Sequence, residues 1–435
     1  MLVYLFMVLV TVNAIYNDPY NFHFSIGGDD FNSIYVSWST KLPYSSKPII
    51  KYGDLENNLD MVSYGTSEIY INNSVHHHVL INFPYDTKYY FYTAGDEYSM
   101  TSDIKKVYSP LLTKNNKPKI AIYGDMGIEN VNDTIQILKS REYDLFIHIG
   151  DISYADDKGL EIGNNKNLYE NTYDIFFKNV ESFSNNTPYM VCPGNHDVTC
   201  HSITDLGCED GFKNFGAFNS RFKMPSLESN GVKNMWYSFD FHNIHFISIS
   251  TETDFDGSPT NPDTFFGGGS GGHFGNQIEW LINDLEKANK NRNKTPWIIV
   301  YGHRPMYDKN IFDWPFLTKY NIRKVFEPIF IKYNINIYFS GHIHAYERNY
   351  PIIDGEIDLQ NGIYHIVCGS PGNQEKIDKG SLYNNKYTAF YNYNDYGFGE
   401  LIIHNNSVLE WNFYTSKNGY VNDNVFIHNK LISIF

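Results

Sequence analysis

YDLFIHIGDISY, residues 143–154, runs apolar for most of its length, stops on Gly150-Asp151 and reaches Tyr154 three residues later. Such a run reads as a buried strand whose carboxyl end delivers a polar group, and the glycine permits the sharp exit. Four more runs end in the same way: KIAIYGDMG (119–127), PYMVCPGNHD (188–197), PWIIVYGH (296–303) and INIYFSGHIH (335–344). Their polar ends are Asp125, then Asn195-His196-Asp197, then His303, then His342 and His344. One Gly-Asp pair carries no weight. Five such ends in order do, because turn residues and core histidines alone leave unexplained why these donors fall only at strand ends. Between the runs comes helical periodicity, clearest in NQIEWLINDLEKANK (276–290), apolar at Ile278, Leu281, Ile282 and Leu285. The pattern predicts an α/β region built from βαβαβ units.

Upstream the texture differs. SIYVSWST (33–40), KPIIKYG (47–53), HHHVLINF (76–83) and TKYYFYTAGD (87–96) alternate apolar and polar residues between turn signals. That predicts an N-terminal β-sandwich of fibronectin or immunoglobulin type over 18–112, with Trp38 as a core anchor. His76, His77 and His78 tempt a metal reading, but alternation puts only His76 and His78 on one face, with no acidic partner, so they are read as structural. LLTKNNKP (111–118) reads as a linker, and the α/β domain then spans 117–435. GGGSGG at 267–272 lacks the GK[ST] of a phosphate loop and is read as a surface loop.

The first residues, MLVYLFMVLVTVNA, fit a signal peptide cut after Ala14, and no later stretch is long enough for a membrane span. N-x-S/T sites at Asn72, Asn132, Asn185, Asn293 and Asn405 are glycosylation candidates. Together these predict the secretory pathway, with a secreted or a lysosomal or vacuolar destination. Of four cysteines, Cys200 and Cys208 flank a polar loop suited to a local disulfide, whereas Cys192 and Cys368 lie in apolar runs as buried thiols. A formal net charge of −15 argues against bulk attraction to nucleic acid or an anionic membrane. It leaves room for a local positive site made by metal ions.

Carboxylate, amide, imidazole and phenol donors, with no thiolate, suit hard or borderline metals. His342 and His344, two apart, share a face on an extended segment. The donors suffice for two ions sharing one carboxylate, the arrangement that clamps a phosphoryl oxygen and generates a hydroxide nucleophile.

The order GD-x-G, GD-x-x-Y, GNHD, GH, GH-x-H resembles the purple acid phosphatases within the calcineurin-like metallophosphoesterases. The flanking text WYSFDFHNIHFISIS (236–250), TPWIIVYGHRPMY (295–307) and AYERNYP (345–351) is similar too. The resemblance covers essentially the whole mature chain, sandwich included, and implies a metallophosphoesterase β-sandwich flanked by helices. Other metallophosphoesterases usually carry D-x-H at the first motif. Here Met126-Gly127 follow Asp125, and Tyr154 stands where it can replace the missing ligand. A phenol ionises near pH 10, so a phenolate ligand points to Fe(III). The resemblance implies that Fe(III) takes Asp125, Asp151, Tyr154 and His344, and a divalent Fe, Zn or Mn takes Asp151, Asn195, His303 and His342, with Asp151 bridging.

The implied activity is that of an acid phosphatase, hydrolysing phosphomonoesters by a metal-bound hydroxide, on small phosphate esters with phosphoproteins as a further class. His196 is the candidate to hold the phosphoryl group or protonate the leaving oxygen, and Asp197 the candidate to orient it. The histidine pair that plant members carry after the GH motif is replaced by DKNIFDWP, with Phe312 and Asp313 near its place. Tyr307, Asp308 and Asp313 are then candidates for shaping substrate choice. The alternatives are a phosphodiesterase or nucleotide pyrophosphatase of the same fold, told apart by a substrate panel, and a non-catalytic binding protein, told apart by absence of iron.

Overall fold

The computed structural model describes residues 18–431 apart from 29–31, 42–46, 72–73, 85–86, 99, 110–116, 160–164, 185, 199–208, 260–270, 311–316 and 379–385. Outside the described residues lie the leader 1–14, Asn72, Asn185, Cys200, Cys208, most of the linker 111–118 and of the glycine run 267–272, Phe312 and Asp313. No helix among the described residues is long and apolar enough to cross a membrane. Cys192 and Cys368 are buried free thiols.

Residues 20–108 form two four-stranded sheets. One orders the strands Tyr20–Ile26, Ser33–Lys41, Ser74–Asn82 and Thr66–Glu68; the other orders Met61–Tyr64, Pro48–Gly53, Tyr89–Asp96 and Lys105–Tyr108. Alternation sends Phe22, Phe24, Ile34, Val36 and Trp38 from the first sheet, and Ile50, Tyr52, Tyr90 and Tyr92 from the second, into one shared core. The histidine run is structural. His76, His77 and His78 are buried against Ser39 (2.9 Å), Thr40 (2.8 Å) and Ser37 (2.8 Å), respectively. Burial pushes all three below the ordinary imidazole value, His77 and His78 to about 3, so they stay neutral.

The sandwich docks on the α/β region through buried polar contacts. Arg221 Nη2 meets Glu170 Oε2 at 2.7 Å, and Tyr70 and Ser74 of the sandwich donate to the same carboxylate.

Beyond residue 117 the chain forms two βαβαβ units. The first runs Lys119–Tyr123, helix Asn132–Lys139, Leu145–Ile149, helix Lys166–Ser184, Tyr189–Cys192; the second runs Ile244–Ser248, helix Gln277–Lys290, Trp297–Tyr301, helix Thr318–Lys332, Ile337–Ser340. The expected helix at 276–290 begins with Asn276 accepting from the N–H of Glu279 at 3.1 Å, an N-cap. Within each unit the strands pair in parallel. The first unit joins Gly397–Ile403, Val408–Thr415 and Val421–His428 in a six-stranded sheet. The second joins Tyr237–Phe241, Tyr364–Cys368, Tyr346–Asn349 and Thr388–Asn392 in a seven-stranded sheet. One continuous core of aliphatic and aromatic side chains fills the space between the two sheets. This is the expected layered α/β architecture. Asp125, Asp151 and Asn195 leave the carboxyl ends of one sheet, and His303 and His342 those of the other.

Candidate metal centre

The glycine before each polar residue is there for closeness. A Cβ on Gly194 would lie 2.2 Å from Asp151 Oδ1, one on Gly341 2.3 Å from Asp125 Oδ2, and one on Gly150 2.7 Å from His303 Nδ1. Strand ends from both sheets thus close on one another with the functional side chains between them. Four of these residues hold the left-handed backbone that non-glycine residues avoid: Asp125 (φ 60°), Asp151 (51°), Tyr154 (53°) and His342 (68°). Such backbone costs about 1–3 kcal/mol per residue and gathers where function requires it.

The seven expected donors converge. Asp125 and Asp151 are buried carboxylates. His303 Nε2 lies 3.1 Å from both Asp151 Oδ2 and Asn195 Oδ1, and 4.0 Å from Asp125 Oδ1. Tyr154 Oη is 3.2 Å from Asp125 Oδ1 and 2.7 Å from His344 Nε2, which is itself 3.6 Å from Asp125 Oδ1. The ring of His342 stands 5.1 Å from that of His303, and the main-chain N–H of His342 donates to Asp125 Oδ2 at 2.8 Å. Asp151, His303 and His342 each offer one atom within 4.8 Å of the others.

Two features suit this set to metal ions. His303 Nδ1 donates to the carbonyl of Ile149 (2.9 Å) and His344 Nδ1 to that of Lys376 (3.1 Å). Each therefore turns Nε2 inward toward the carboxylates, the orientation metal-ligating histidines take. Two carboxylates share one buried site, which calls for countercharge. Burial opposes ionisation of Asp151, but His303 and His196 outweigh it and hold the carboxyl well below the usual range. Burial likewise opposes charge on His303, but Asp151 and Asp125 raise it to about 9. Burial pushes Tyr154 far above an ordinary phenol, and the charges of Asp125 and Asp151 push it further. Only a strongly polarising cation would ionise it.

His196 and Asp197 part company. Asp197 accepts from the N–H groups of Gly194 (2.8 Å), Asp151 (2.9 Å) and Ile152 (3.2 Å), so it clips two strand-end loops together. The carboxylates at His196 Nδ1 are Asp156, at 2.9 Å, and Asp157, at 3.2 Å. The structure thus sets Asp156 and Asp157 at His196 Nδ1 and turns Asp197 to main-chain donors. Burial disfavours the imidazolium of His196, but Asp156 and Asp151 overcome it and raise the ring well above its usual value. Its ring also lies 4.3 Å from that of Tyr154.

Of the residues proposed to shape substrate choice, Tyr307 is tied to Glu327 (2.7 Å) beneath the surface, and Asp308 pairs with Lys319 (2.7 Å). Sequence reading missed a sixth strand end, YHIVCGSPGNQE (364–375). It obeys the same rule: a Cβ on Gly369 would lie 2.6 Å from Asp125 Oδ2. It carries Asn373, which donates to the carbonyl of Asp125 at 3.0 Å, and Glu375, within 3.9 Å of His196 Nε2 and 3.7 Å of His344 Nε2.

The pattern of calcineurin-like phosphoesterases matches residues 118–346, and that of the iron/zinc purple acid phosphatase-like C-terminal region matches 362–424. The chain is 30% identical to acid phosphatase type 7 of Mus musculus, over 82% of this chain and 79% of that one. It is 28% identical to an acid phosphatase of Aspergillus ficuum, over 90% and 84% of the two chains. A purple acid phosphatase from yellow lupin seeds shares the fold, with a TM-score of 0.71 at 20% identity, covering 95% of this chain and 74% of that one.

Proposed function

The chain belongs to the purple acid phosphatases, a branch of the calcineurin-like phosphoesterases, and on that premise we propose which residues do what in its dinuclear centre. It is an acid phosphatase acting on phosphate esters. The iron would be held by Asp125, Asp151, Tyr154 and His344, and a divalent ion, Fe, Zn or Mn, by Asp151, Asn195, His303 and His342. What supports this reading above all is that the Nε2 atoms of His303 and His344 face the carboxylates of Asp151 and Asp125 across the join of two sheets. When bound, such an ion pair polarises phosphoryl oxygens and lowers the pKa of a water.

The chain's own residues do the rest. His196, anchored at Nδ1 by Asp156 and Asp157, turns Nε2 toward the phosphoryl group and holds a proton there for the departing alkoxide. Asp197 fixes the distance between the Asp151 and Asn195 loops by its three main-chain hydrogen bonds. Phosphoproteins form a further substrate class. Residues 18–112 form a sandwich module and 117–435 the catalytic domain. The leader 1–14 directs the chain to the secretory pathway, where the exposed Asn132, Asn293 and Asn405 accept glycans. The test is elemental analysis with hydrolysis of an aryl phosphate at acid pH. Two metals per chain, one of them iron, are expected. An active protein without iron would refute the assignment.

A further inference from the structure

We propose that Glu375 reads the leaving group: it favours phosphate esters of alcohols that carry a hydrogen-bond donor or an ammonium beside the ester oxygen, and disfavours those that carry a second phosphate. The inference rests on the placement of His196 Nε2 at the phosphoryl group and its leaving oxygen.

Glu375 sits on the loop that leaves the strand Tyr364–Cys368 and is pinned across the site on both sides of it. Before it, Gln374 Nε2 donates to the carbonyl of Tyr154 (3.2 Å) and to Asp157 Oδ2 (2.8 Å). After it, the carbonyl of Lys376 accepts from His344 Nδ1 at 3.1 Å, and the N–H of Lys376 donates to Asn373 Oδ1 at 2.9 Å. The backbone of Glu375 is thereby fixed over the centre while its side chain stays 44% exposed at the mouth. Its carboxylate stands 3.9 Å from His196 Nε2 and 3.7 Å from His344 Nε2, too far for a hydrogen bond to either. Among the described residues it accepts no hydrogen bond, so its acceptor capacity faces whatever lies between those two rings and solvent.

His196 Nδ1 is committed to Asp156, so the atom facing the substrate is Nε2, and the oxygen it serves is the one that departs. A carboxylate 3.9 Å from that atom and 44% exposed stands where the departing group leaves toward solvent. An ammonium or hydroxyl one or two carbons from the ester oxygen meets an acceptor there. A second phosphate meets like charge at close range, which in a half-exposed site is worth on the order of tenfold in affinity.

The test uses two substrates with the same two-carbon alcohol, O-phosphoethanolamine and ethylene glycol bisphosphate, near neutral pH, with the metal-loaded full chain. Wild type should favour the first in kcat/KM. Glu375→Gln should shrink the ratio about tenfold, chiefly through KM, and Glu375→Lys should invert it, with both metals retained by elemental analysis. A ratio unmoved in both variants overturns the proposal. So does equal loss on both substrates, or loss of metal, since either would make Glu375 a structural part of the centre. Failure of the underlying reading would look different: wild type itself would lack the metals or the phosphatase activity.

Discussion

Asp156→Asn separates the structure's account of His196 from the simpler reading of the GNHD motif. Asp156 is fully buried, and its Oδ2 stands 2.9 Å from His196 Nδ1; Asp157, at 3.2 Å, is the more exposed second partner. The charge of Asp156 is the chief force raising His196 against burial. The amide keeps the shape and an acceptor oxygen but removes the charge, so the imidazolium is less favoured while the ring stays in place. General acid catalysis contributes roughly 10²–10⁴-fold. Asp157 remains to hold the ring, so the loss in kcat should sit near the low end, about 10², on an alkyl phosphate whose leaving group needs a proton. An aryl phosphate with an acidic leaving group should lose far less. Asp157→Asn should cost about tenfold or less, and the double variant should approach His196→Ala, because residues acting as one unit are not additive. The assay is steady-state kinetics on the two ester types, with metal content measured on the same samples. If Asp156→Asn stays within about threefold of wild type on the alkyl ester while Asp197→Asn abolishes turnover with both metals retained, Asp197 orients His196 after all and the anchoring by Asp156 is refuted.

Tyr154→Phe removes the hydroxyl that meets Asp125 and His344 and keeps the ring. The visible absorption of an iron-bound phenolate should vanish at equal iron content, and a band surviving in the variant would rule out Tyr154 as the ligand. Asn195→Ala should release the divalent ion and leave the iron, read by elemental analysis; full retention of both metals with normal turnover speaks against the site. His245 gives a pH signature far from the centre. Burial lowers its pKa, but Asp240 (2.5 Å) and Asp284 (2.9 Å) raise it from 6.5 to about 9. Its folded value lies above the unfolded one, so its stabilisation, on the order of 3 kcal/mol, is complete below pH ~6.5 and fades as pH rises through ~9. Denaturant unfolding of His245→Gln should show a large deficit at acid pH that closes by about pH 9; a deficit independent of pH would contradict it.

The site was legible because its chemistry is written at strand ends. A glycine after an apolar run marks a place where two backbones approach too closely for a Cβ, and that requirement is visible in a sequence before any contact is known. The sandwich was legible for a similar reason, since period-two alternation around Trp38 reports a half-buried strand directly. What stayed hidden depends on distances that no spacing encodes. Asp197, adjacent to His196, looked like its partner, yet the 3₁₀ turn Asn195–Asp197 sends the carboxylate back to the Asp151 loop. The carboxylates that meet His196 Nδ1, Asp156 and Asp157, come from a helix some forty residues earlier that packs against the helix Lys166–Ser184. Glu375 escaped because its motif ends in amides and one exposed acid, which resembles an ordinary loop.

The strain and the charge crowding at the centre point to one design. Four residues held at positive φ, at about 1–3 kcal/mol each, amount to a cost comparable with the whole net stability of a typical domain. Neighbouring charge adds to it: burial and Asp151 together push Asp197 up to about 8 even though Asp197 accepts three main-chain hydrogen bonds. A protein can carry such a centre only if the surrounding core over-determines it. The two sheets do so, closing on the site through glycines whose replacement by any larger residue would force Asp125, Asp151 or His303 to move. Cations bound between the carboxylates would relieve the repulsion but not the backbone strain. The strained loops must therefore be held by the fold alone, which leaves the donors already arranged when an ion arrives.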